Sequence, residues 1–334
     1  MTGRRIYWFM TVSVMYWGRL WMTKKQNFYF KSTDRKTKVH GICWIPQGKP
    51  VKAVLQIAHG MVEYIDRYDD FARYLNERGI AVVGNDHLGH GDSVKSPEDW
   101  GYLGKDGFRC MVEDLYKIQK QFKKRFPDRP YYILGHSMGS FLTRYFLIEH
   151  GESVDGAIIM GTGYHPPVLT AVGCGLARVI AAVKGWHFRS QFINKMAFGS
   201  YNKGFKPART DFDWLSRDEA NVDAYVAEPR CQFIFTLNGY YEMFKGIHFI
   251  TSRKNISKMP KRLPVFFVSG DADPVGNNGN GVQKVYDMFV LSGMENVDII
   301  FYEGGRHEIL NEINREEVYE DLYRWLIEEI SLKH

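Results

Sequence analysis

From residue 26 onward, short apolar runs alternate with amphipathic stretches of helical period. "NFYFKST" (27–33) and "KVHGICWIP" (38–46) read as two opening strands, antiparallel and at a sheet edge. "AVLQIAHG" (53–60) is an unbroken apolar run that predicts a buried strand. "DRYDDFARYLNERG" (66–79) predicts an amphipathic helix closed by a glycine, and "IAVVGND" (80–86) the next strand. "FRCMVEDLYKIQKQFKKRF" (108–126) predicts a helix whose basic end suits its own C-terminus. In "YYILGHSMGSFLTRY" (131–145) a strand gives way to a helix at a serine between two glycines, and "VDGAIIMG" (154–161) follows as a strand.

That rhythm breaks over 164–236, where helical patches and many aromatics replace the buried runs. It resumes with a helix near 237–252, strands in "LPVFFVSGD" (263–271) and "VDIIFYEGG" (297–305), and a closing helix, "REEVYEDLYRWLIEEI" (315–330). Buried strands alternating with helices predict an α/β protein with a mostly parallel sheet covered on both faces. The expected organisation is a core of 26–163 and 237–334, with 164–236 inserted as a helical cap. Residues 1–25 form an N-terminal extension.

Composition narrows the function classes. The net charge is +6, but Arg4, Arg5, Arg19, Lys24 and Lys25 supply most of it. The remainder is close to neutral and offers no electrostatic footprint for nucleic acid. Cys43, Cys110, Cys174 and Cys231 are far apart, which fits free thiols in a reducing compartment such as the cytoplasm. The N-terminal "MTGRRIYWFMTVSVMYWGRLWMTKK" is basic and aromatic, too short for a membrane span, and lacks a signal-peptidase pattern. It reads either as an interfacial membrane anchor or as sequence upstream of a start at Met22.

Candidate chemistry sits where such sheets expose it, in the loops beyond the strands' C-terminal ends. Those loops hold "HGMVEY" (59–64), "NDHLGHGDS" (85–93), Gly-His-Ser-Met-Gly around Ser137, "GDADPVG" with Asp271 and Asp273, and "GGRHEIL" with His307. The pentapeptide alone is common by chance. A serine, an acid and a histidine after three separate strands, in that order, point to a nucleophilic triad.

These motifs resemble the monoacylglycerol lipase-like and lysophospholipase-like hydrolases, the serine aminopeptidase S33 family. "HGMVEYIDRY", "DHLGHGDS", "GHSMGS", "GDADPV" and the histidine of "EGGRHEI" match in order over roughly 26–332. The resemblance implies an α/β-hydrolase fold, Ser137 as nucleophile, His307 as base and Asp273, rather than Asp271, as the acid. It implies an oxyanion hole from the Met61 and Met138 N–H groups, with no cofactor. The expected reaction is hydrolysis of single-chain carboxylic esters, a monoacylglycerol or lysophospholipid, with transient contact at a membrane surface. Cap aromatics such as Phe198 and Trp214 are candidate substrate contacts. A peptidase reading would draw on the acids of 211–229 to hold an ammonium group, and a non-catalytic receptor on the same fold stands third.

Other groups read as structural. His87 and His90 beside Asp86 form a loop, not a metal site. Glu63 and Arg67, four apart, pair to shape the oxyanion loop. "GNNGNG" (276–281) is a turn without the pattern of a phosphate loop.

Overall fold

The computed structural model describes residues 23–332. The N-terminal segment, read above as anchor or upstream sequence, lies outside them except for its last three residues. Those begin the first strand, β1 (Thr23–Lys31), which pairs antiparallel with β2 (Lys38–Pro46). The core then alternates β3 (Ala53–Ala58), α1 (Asp69–Asn76), β4 (Ile80–Asn85), α2 (Gly107–Arg125), β5 (Tyr131–His136), α3 (Met138–His150) and β6 (Gly156–Met160). Four helices follow without an intervening strand: α4 (Pro167–Lys184), α5 (Gln191–Phe198), α6 (Glu219–Ala227) and α7 (Leu237–Ile250). The one-turn α8 (Arg253–Ile256), β7 (Val265–Gly270), α9 (Asn280–Leu291), β8 (Val297–Tyr302) and α10 (Arg315–Ser331) complete the chain.

The eight strands form one sheet in the order β1-β2-β4-β3-β5-β6-β7-β8, parallel from β4 to β8. Edge strand β1 alternates half-buried and exposed positions, whereas every residue of β3, β4, β5 and β7 is buried. Successive side chains of a strand point to opposite faces, so neighbours divide between two cores. Val54, Val83 and Ile133 join α2, α3, α7 and α9 on one face. Leu55, Val82 and Leu134 join α1 and α10 on the other. Helices on both faces explain why the central strands read as continuous apolar runs.

Two differences from the sequence reading have local causes. The helix expected over 66–79 opens as a 3-10 turn, Ile65–Tyr68, because Asp86 accepts the Ile65 N–H and draws the entry inward. The "GNNGNG" stretch does turn, with Asn277 and Asn278 at positive φ, but it leads straight into α9.

Candidate active site

Parallel pairing sets the site. Ala58 lies opposite Gly135, and His136 opposite Met160, so the chain after β3 and the chain after β5 leave the sheet side by side. Ser137 occupies the turn between β5 and α3 at φ 52°, ψ −118°. That combination lies outside the left-handed helical well and costs a non-glycine residue about 1–3 kcal/mol. The flanking glycines make the turn possible. A Cβ at Gly139 would fall on the Ala58 carbonyl, and one at Gly135 on the Gly139 carbonyl and the Thr143 hydroxyl. The result lifts Ser137, only partly buried, into the lining of a cavity.

His307 and Asp273 arrive from the loops after β8 and β7. His307 Nδ1 is 2.9 Å from Asp273 Oδ2, and both side chains are buried. The other Asp273 oxygen accepts the Val275 N–H at 2.8 Å, fixing the carboxylate. Asp271 is exposed and caps the Gly304 N–H instead, so of the two aspartates it is Asp273 that meets the histidine. Met61 and Met138 line the same cavity as Ser137 and His307, with the Met138 N–H in the first turn of α3. Val62, next to Met61, adopts φ 58°, so the loop after β3 is also tightly bent.

The cavity has a volume of about 690 Å3, inside the usual range for small-molecule sites. Phe141, Leu169, Val172, Met243, Phe244 and Ile247 give it an apolar wall. Phe198 and Trp214 both line it, and the Trp214 ring lies 5.2 Å from that of His307.

The segment 213–231 also braces the loops beneath. Trp214 and Leu215 carbonyls accept the N–H groups of His307 and Glu308 at 3.4 and 2.7 Å. The Tyr225 hydroxyl donates to the Val62 carbonyl, and the Tyr64 hydroxyl to Glu228, each at 3.1 Å.

Glu63 and Arg67 do pair, at 3.1 Å, but within a larger buried network. Arg67 also grips Glu308 with two hydrogen bonds of 2.6 and 2.7 Å. Burial alone would push both glutamates up; His136 and Arg67 outweigh it for Glu63, and Arg67 for Glu308, so both carboxyls stay below the ordinary range. His136 and Glu308 escaped the sequence reading, although both lie inside quoted motifs. His87 and His90 pack against His59, with ring centroids 4.1 and 5.3 Å away. Burial, helped by the charge of His90, holds His87 down to about 3, and burial holds His90 down to about 4 despite its bond to the Leu88 carbonyl and the nearby Asp86 and Glu63 carboxylates. The nitrogen and carboxylate atoms that converge here belong to His40, Asp86 and Asp92, and Asp86 already accepts the Ile65 and Asp92 N–H groups as well as His40.

A mostly parallel sheet with a strained serine after β5 and a buried histidine–aspartate pair after β8 and β7 defines an α/β-hydrolase. The sequence model described as Serine aminopeptidase, S33 matches residues 49–314, and the chain belongs to that family. Monoglyceride lipase of Rattus norvegicus is 24% identical over 293 residues, 86% of this chain and 86% of the rat protein. Monoacylglycerol lipase of Mycolicibacterium smegmatis is 26% identical over 299 residues, 85% of this chain and 91% of the bacterial one. A thermostable carboxyl esterase of Bacillus coagulans, solved with glycerol, has a TM-score of 0.85 and 28% identity, covering 92% of this chain and 99% of that one.

Proposed function

We propose that the protein hydrolyses carboxylic esters of single-chain lipids, of monoacylglycerol or lysophospholipid type, through an acyl-enzyme on Ser137. The observation that carries this reading is a large apolar cavity opening on a strained serine beside a buried His307–Asp273 pair. Ser137 Oγ attacks the acyl carbonyl while His307 takes its proton and then delivers it to the leaving alcohol. Asp273 holds the Nδ1 proton and stabilises the imidazolium that forms. The Met61 and Met138 N–H groups receive the oxyanion, and each such donor is worth roughly 3 kcal/mol of barrier. Water, activated by His307 in turn, releases the acid. No step calls on a cofactor.

The peptidase reading loses support from the acids it needs. Asp213 accepts the Arg209 and Thr210 N–H groups, Asp218 caps α6 and pairs with Arg315, and Glu228 pairs with Arg230. Asp211 alone among the acids of 211–229 lines the cavity.

Helix α4 supports contact with a lipid surface. It is apolar and long enough to cross a membrane by length and composition, yet one stripe, Thr170, Gly173, Ala177 and Ala181, is buried. Val168, Leu169, Val172, Val179 and Val183 are exposed, with Leu169 and Val172 lining the cavity, which fits an interfacial helix better than a spanning one. The four free thiols suit a reducing compartment.

The test is hydrolysis of short- and long-chain p-nitrophenyl esters, a monoacylglycerol, a lysophosphatidylcholine and an aminoacyl anilide by wild type and Ser137→Ala. The proposal expects long-chain ester turnover to fall by at least about 10^4-fold in the variant. Preference for the anilide would promote the peptidase, and silence across the panel the receptor.

A further inference from the structure

His136, the last residue of β5, lies between three parts of the site. Its Nδ1 is 3.1 Å from Glu63 Oε1 and its Nε2 is 3.1 Å from the carbonyl oxygen of His307. A carbonyl can only accept, so Nε2 must carry a hydrogen. Glu63 Oε1 also accepts the Gly60 N–H and the Tyr68 hydroxyl, and Oε2 accepts from Arg67. A carboxyl group with that many donors around it is ionised, so Nδ1 must carry a hydrogen too. Charge counting agrees. Glu63, Glu308, Arg67 and His136 are packed together, and each is at most a tenth exposed. With a neutral His136 this cluster would hold one uncompensated negative charge, and with an imidazolium it is neutral.

We propose that His136 is kept as an imidazolium and acts as a positioning residue, tying the main chain of His307 to the glutamate that anchors the oxyanion loop. Gly60, whose N–H Glu63 holds, immediately precedes Met61. One ring therefore sets the spacing between base, nucleophile and oxyanion donor, with the Arg67–Glu308 pair as a parallel tie. Burial opposes the charge, but the hydrogen bond and field of Glu63, helped by Glu308 and the His307 carbonyl, outweigh it and raise the affinity for the proton. The groups facing the ring are Glu63, Arg67 and Tyr68 after β3, His59 at the end of β3, and His307 and Glu308 after β8. The role rests on the hydrolase reading above, whereas the charge does not.

The experiment is NMR of the full chain labelled with 15N in histidine side chains, at pH 8, with His136→Gln identifying the His136 signal. The expected result is a ring with hydrogens on both nitrogens at a pH where an ordinary histidine is neutral. In Glu63→Gln the same ring should drop to one hydrogen, which keeps the test available if His136→Gln does not fold. Kinetically, His136→Gln should lower kcat by about tenfold or more with little change in KM. A group whose proton affinity is raised contributes below its titration and is lost above it. Wild-type kcat should therefore decline on the alkaline side through a step that His136→Gln lacks. A singly protonated His136 in the wild type at pH 8 would overturn the charge assignment. An unchanged kcat in a folded His136→Gln would overturn the positioning role. Neither result touches the hydrolase reading, which is tested separately by the substrate panel with wild type and Ser137→Ala.

Discussion

Ser137 is held where its backbone would not choose to be, and the glycines two positions to either side are what permit it. Gly139→Ala should destabilise the fold by at least about 2 kcal/mol and remove activity, because the new methyl meets backbone rather than a movable side chain. Urea denaturation beside an ester assay checks both. Arg67 holds two buried carboxylates, and Arg67→Met should cost about 3–5 kcal/mol at pH 7 by taking the cation from Glu308 and leaving Glu63 to His136 alone. Glu63 and Glu308 are depressed in the folded state, so their contribution is present above the ordinary glutamate value near 4.5 and is lost as the pH falls below it. The gap between wild type and Arg67→Met in urea midpoint should narrow from pH 7 to pH 4. At this scale periodicity pointed to Ser137 and His307, each after a recognisable strand, whereas Asp273 was preferred to Asp271, which follows the same strand, only through the family resemblance. The sequence was silent on His136, whose partner carbonyl lies 171 residues away and contributes no side chain to recognise.

The strands were the most legible elements, since burial on both faces leaves long apolar runs. Among the helices, α3 was read from its place after a strand although it is buried nearly all round, whereas α9 hid behind a glycine–asparagine turn. Helix α4 could be read only as a helical patch, because the feature that seats it is a stripe of small residues. Gly173 faces the Phe244 ring of α7 with no room for a Cβ. The opposite face is free of such constraints. Val179→Asp combined with Val183→Asp should therefore leave thermal stability and hydrolysis of a soluble short-chain ester nearly unchanged. Binding to phospholipid vesicles, followed by co-sedimentation, should fall by about tenfold as apolar contact area is replaced by charge. Equal vesicle binding by variant and wild type would remove α4 from the proposed lipid contact.

Across the whole molecule, one sheet presents four loops, after β3, β5, β7 and β8, at the same edge, and residues from between β6 and β7 close over them. That segment does two jobs in different places. Its first helices wall the cavity, and residues 213–231 hydrogen-bond to the loops carrying His307 and Val62. A run without strands between β6 and β7 was visible as a break in rhythm, but the bracing contacts of 213–231 were not, since most of them end on main-chain groups distant in sequence. The central claim is that Ser137 receives an acyl group inside this cavity. Acid-quenched mass spectrometry during turnover of p-nitrophenyl laurate tests it most directly, because the good leaving group makes the acylated form accumulate. The account predicts an added lauroyl mass on the peptide containing Ser137, and no such adduct or turnover in Ser137→Ala. Turnover that survives in Ser137→Ala, or a lauroyl group found on another residue, would contradict it.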